Sequence, residues 1–154
     1  MNRLLIGLLV PMLVLAIAAP GAARIGDPVA GFMSGPLAQQ LQLNPQAQTS
    51  LSGPLSGRIL HRFVSDDGAI VVDLIVFGGA IEQEVMYAPL AMNRGVQVSF
   101  FLQDAVGSVF GAQKGMLAFR AAVINRKETY LTFGGLIMRF VPMGGGRLRV
   151  QVSR

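Results

Sequence analysis

The chain has 154 residues, of which 52% are hydrophobic and only 14% charged, with a formal net charge of +5 and no cysteine. That length suits one domain around a single core, and the missing Cys excludes disulfides, thiolate zinc sites, a reactive thiol and a lipid-anchored lipoprotein. The basic residues are scattered, with no run longer than Arg126-Lys127, which is a mild lean toward anionic partners and excludes a nucleic-acid footprint.

At the amino terminus Arg3 precedes an apolar run, Leu4 to Ala19, which the small residues Gly21, Ala22 and Ala23 close. This is the layout of a secretory signal peptide over residues 1–23, with cleavage expected after Ala23. The run contains Pro11 and is shorter than the roughly 20 residues that span a bilayer. The mature chain is therefore expected to start at Arg24, to be exported to the periplasm or secreted, and not to span a membrane.

Residues 24–57 are rich in Gly, Pro, Ser and Gln and show no sustained alternation, so they read as a mostly irregular lead-in. Pro36 followed by "LAQQLQL" predicts one short helix to about Leu43, with Asn44-Pro45 as its stop.

From Arg58 the pattern turns to period two with frequent turn signals, and residues 58–154 read as one all-β antiparallel domain, a β-sandwich or a closed β-roll. About eight strands are expected, at 58–64, 69–77, 80–87, 96–103, 117–124, 128–133, 136–141 and 147–152. The clearest is the last, where Leu148, Val150 and Val152 alternate with Arg147, Arg149 and Gln151. Residues 104–116 carry Gly107, Gly111 and Gly115 four apart and read as a loop or short capping helix.

The candidate site follows from turn chemistry. A two-residue Gly78-Gly79 hairpin sets Asp73 opposite Glu84 and places Glu82 on the same face. A three-residue Asp66-Asp67-Gly68 loop sets His61 opposite Asp73. A four-residue loop shifts that register by one. His61, Asp73, Glu82 and Glu84 would then form a polar band, and a neighbouring carboxylate would hold the His61 pKa above its ordinary value.

Such a band could bind a small ligand, relieve charge across strands, or supply a general acid and base. Working hydrolytic or metal sites usually need more than one His or a nucleophile with its base, and this chain has a single His. No G-x-S-x-G, G-x-x-x-x-G-K-[ST], H-E-x-x-H or calcium-loop pattern occurs, and no cofactor is expected. The sequence favours an exported, non-catalytic binding or interaction protein of the bacterial cell envelope, with an envelope protein or a small ligand as partner. The alternatives are a small β-barrel carrier of an apolar ligand and a hydrolase or metal-dependent enzyme using His61, Asp73 and Glu84.

Overall fold

The computed structural model describes residues 24–154. The expected signal peptide lies outside these residues. Among those described, the protein is mostly β, built on an eight-stranded antiparallel sheet that does not close. The strands are β1 (Leu43–Pro45), β2 (Thr49–Ser50), β3 (Ile59–Ser65), β4 (Val71–Phe77), β5 (Ala80–Pro89), β6 (Thr129–Phe133), β7 (Leu136–Met143) and β8 (Arg147–Ser153). They run in the order β1-β3-β4-β5-β8-β7-β6, and β2 pairs with β3 beyond β1.

Among the described residues three α-helices accompany the sheet: α1 (Pro36–Gln40), α2 (Gly95–Val106) and α3 (Val109–Asn125). The α2–α3 hairpin lies against one sheet face, α2 over β5 and β8, α3 over β6 and β7. The lead-in covers more of that face. A 3-10 turn at Val29–Ser34 places Phe32 against Phe63 of β3, ring centroids 4.6 Å apart, and Leu37 and Ala38 of α1 are buried with it. The covered face holds Val72, Leu74, Met86, Ala88, Met138, Phe140, Leu148, Val150 and Val152, all buried in one core with Phe101 and Phe119 of the helices.

Two expected strands are helices. Residues 96–103 lie in α2 and 117–124 in α3. In "VQVSFFLQ" the alternation of Val96, Val98 and Phe100 imitates a strand. The side chains that bury are Val98, Phe101, Leu102 and Ala105, spaced as one helical face requires. In α3 the buried set is Ala112, Gly115, Phe119 and Ala122, again at helical spacing, and Ser108 caps the helix by accepting a hydrogen bond from the Gly111 N–H at 3.2 Å. The expected capping segment at 104–116 is thus the end of α2, a turn and the start of α3. The Gly107 turn residue adopts φ of +66°, which ends α2.

The lead-in is more ordered than its composition suggests. The helix starts at Pro36 as expected but ends at Gln40, because Gln42 takes a left-handed φ of +50° and Leu43–Pro45 then pairs with β3.

Candidate functional site

The register separates the residues expected to form a row. Two local features cause this. The turn after β3 is a four-residue loop, Asp66 to Ala69, closed by Ser65 N–H to Ile70 O at 3.0 Å, with Asp67 accepting from the Ala69 N–H and from the Ser65 hydroxyl. That loop pairs Arg62, not His61, with Asp73. On the other side Gly78-Gly79 does form the hairpin, with Phe77 opposite Ala80. A bulge follows, however: Val76 pairs with Ile81 while Ile75 pairs with Gln83. The extra residue, Glu82, moves the register by one, so Asp73 faces Val85 and Glu84 faces Leu74.

A one-residue slip sends a side chain to the opposite face of the sheet. Asp73 therefore lies on the face away from the helices, buried, with the Arg62 guanidinium donating to both its oxygens at 2.8 and 2.7 Å. Glu82 is held by Arg58, whose guanidinium also stacks 4.9 Å from the Phe77 ring centroid. His61, half-buried, sits on the covered face at the edge of a shallow cleft of about 230 Å³ shared with Val29, Met33, Gln46 and Phe63. The expected rise of the His61 pKa is corrected: burial lowers it, and among the described residues no carboxylate stands beside the imidazole to favour its charge.

Glu84 goes inside. It lies between Leu74 and Val152 on the covered face, is fully buried, and neither carboxylate oxygen has a hydrogen-bond partner among the described residues. Burial pushes its pKa well up, and the charges of Asp104 and Asp27 push it further. Asp104, in the last turn of α2, is also buried, with Oδ2 unpartnered. Burial pushes its pKa up to about 7, with Arg24 opposing and Asp27 adding.

The three acids come together because the lead-in is strapped to β5. Gly26 N–H donates to Ile81 O at 2.7 Å, and Ile81 N–H donates to Asp27 O at 2.9 Å. The Arg24 side chain crosses the end of α2 at Gly107, where a Cβ would stand 2.6 Å from Arg24 Cδ. Sequence reasoning reached Glu84 but not Asp104 or Asp27, since no local spacing connects residues that only the helix hairpin and the lead-in bring together. Among the described residues no group of three or more His, Asp or Glu is placed to hold a metal ion.

A second feature lies on the outside of α3. Phe110, Leu117 and Ile124 recur every seven residues and are 59%, 66% and 70% exposed. Lys114 leans over the Phe110 ring at 4.8 Å, and Phe110 meets Phe133 of β6 edge-on at 5.9 Å. Comparison with family models, with curated proteins and with solved structures finds no match to this chain.

Proposed function

We propose that the protein is an exported, non-catalytic interaction protein of the bacterial cell envelope, with the outer side of α3 as its working surface. The observation that carries this reading is the exposed Phe110, Leu117 and Ile124 stripe on a helix whose other side is fully committed to the core. A line of large exposed apolar side chains along one side of a helix marks a place where something docks. The sheet-side carboxylates favour no chemistry of their own, since Asp73 and Glu82 are occupied by guanidinium groups and Glu84 is fully buried with no hydrogen-bond partner among the described residues. The carrier alternative has less support because the sheet is open and large side chains such as Phe101, Phe119, Phe140, Met86 and Met138 fill the space beneath the helices.

The test is a double substitution, Leu117→Gln with Ile124→Gln, in the full chain expressed with its amino-terminal segment in a bacterium. A docking surface predicts unfolding stability unchanged within about 0.5 kcal/mol per exposed site, together with loss of retention in the envelope fraction. A variant that is retained like the parent chain sinks the proposal. Amino-terminal sequencing of the exported material should begin at Arg24, and Met1 retained on it would refute the export step.

A further inference from the structure

The outer side of α3 has a charge pattern that selects among possible occupants, and the inference rests on that helix being the interaction surface. At about 100° per residue, Phe110, Leu117 and Ile124 form a nearly straight line of about 21 Å along the helix. Lys114 flanks the line on one side and Arg120 on the other. Arg126 and Lys127 follow at the helix end, and all four cations are exposed. Between Val109 and Lys127 there is no Asp or Glu. Glu128, the next residue, is held by Arg139, so along the helix itself the apolar stripe is bordered only by positive charge.

Three occupants can be weighed. A second copy of the chain crossing antiparallel with Leu117 on the two-fold axis would place Lys114 opposite Arg120 of its mate, cation against cation, and a parallel crossing also matches like charges. The chain's own residues 1–23 include no Asp or Glu, so seating their apolar run on the stripe would leave the four cations uncompensated. An anionic bilayer satisfies both halves of the pattern: isolated apolar side chains enter the acyl boundary one by one, and the flanking Lys and Arg stay at the headgroups.

We infer that α3 is a peripheral membrane-binding helix that lies flat on an anionic phospholipid surface, inserting Phe110, Leu117 and Ile124 with Lys114 and Arg120 at the phosphates. It is a surface contact: among the described residues no helix is long and apolar enough to cross a membrane.

The chain has no cysteine, so a single introduced thiol gives a unique reporter. The full chain carrying Leu117→Cys is labelled with an environment-sensitive fluorophore and mixed with vesicles of phosphatidylcholine alone or with added phosphatidylglycerol. Ser153→Cys is the control, because Ser153 lies on the sheet face away from the helices. The local signal is the readout because the apolar run Leu4 to Ala19 can draw the chain to any vesicle. The expected result is a blue shift at position 117 that grows with the phosphatidylglycerol fraction, weakens with salt, and has no counterpart at 153. Lys114→Gln with Arg120→Gln should weaken the anionic binding by about tenfold or more. An equal shift on neutral vesicles, no shift on anionic ones, or a shift without vesicles that grows with protein concentration each overturns the inference. If the vesicle signal fails while the Leu117→Gln, Ile124→Gln variant still leaves the envelope fraction, the interaction surface stands and its partner is not a bilayer.

Discussion

At the scale of single residues, the molecule separates acids that the sequence places in one row. His61 and Asp73 point to opposite faces of β3 and β4, so the carboxylate does not stand beside the imidazole. The His61 midpoint should lie below 6.5, the ordinary value from which burial lowers it, and Asp73→Asn should leave it unmoved. An NMR titration checks both, and a midpoint above the ordinary value that drops in the Asp73→Asn variant would restore the row. Asp73 depends instead on Arg62. Its side chain is 5% exposed against 46% for Arg62, so Arg62→Ala leaves a carboxylate in a poorly solvated place with its two charge-assisted hydrogen bonds gone. Chemical denaturation should show a loss of about 1–2 kcal/mol, kept modest because half of Arg62 is already in water.

At the scale of elements, the α2–α3 hairpin depends on a glycine, Gly115, that the sequence shows only as part of a spacing. A Cβ at Gly115 would stand 2.8 Å from Leu102 Cδ1 and 3.2 Å from Met138 Sδ, and both neighbours are fully buried. Gly to Ala in an exposed helix interior gains about 1 kcal/mol of propensity. Gly115→Ala should instead lose about 1–2 kcal/mol through overpacking. Gln113→Ala, on the exposed side of the same helix, should be neutral or slightly stabilising. Thermal unfolding of the two variants decides the matter, and a stabilised Gly115→Ala would show that the helix has room to move. The same hairpin marks the limit of what the sequence reveals. The β3, β4, β5, β6, β7 and β8 strands were legible because alternation and Gly turns agree there, as in Leu148, Val150 and Val152. Both long helices were missed for one physical reason: exposed apolar side chains interrupt their polar faces. With Phe110, Leu117 and Ile124 outside and Val98, Phe101 and Phe119 inside, neither helix shows the polar stripe that separates a 3.6 period from a strand. The register of the candidate row failed on smaller features, one extra loop residue and one bulge, neither of which a hairpin rule specifies.

At the scale of the whole molecule, the lead-in, β5 and α2 meet over Glu84 and Asp104, so the titration of two side chains bears on how three parts of the chain hold together. Both acids have raised pKa values in the folded protein, burial being the first cause for each. Asp104 ionises near 7, and its charge adds to the rise that burial gives Glu84. The folded form therefore binds more protons than the unfolded chain above the ordinary carboxylate range. Stability must fall as pH rises from about 4.5 toward 7, by about 1.4 kcal/mol per pH unit for each proton held only in the folded state. Above about 7 the Asp104 contribution levels off. His61, with its pKa lowered, works in the opposite sense, since its contribution is present above its ordinary value and lost as pH falls. With two carboxylates against one partly exposed imidazole, the acids decide the slope. Urea denaturation between pH 5 and 8 should thus find the protein most stable at mildly acidic pH. Glu84→Gln keeps the shape without a titrating proton, so it should flatten the profile and raise stability at pH 7.5. Asp104→Asn should remove the part of the slope that ends near 7. Arg24→Gln, which withdraws the one opposing cation, should move that break to higher pH. A stability profile that instead rises from pH 5 to 8 would mean that the two carboxylates are solvated, and that the lead-in does not close over them as Gly26 and Asp27 on β5 indicate.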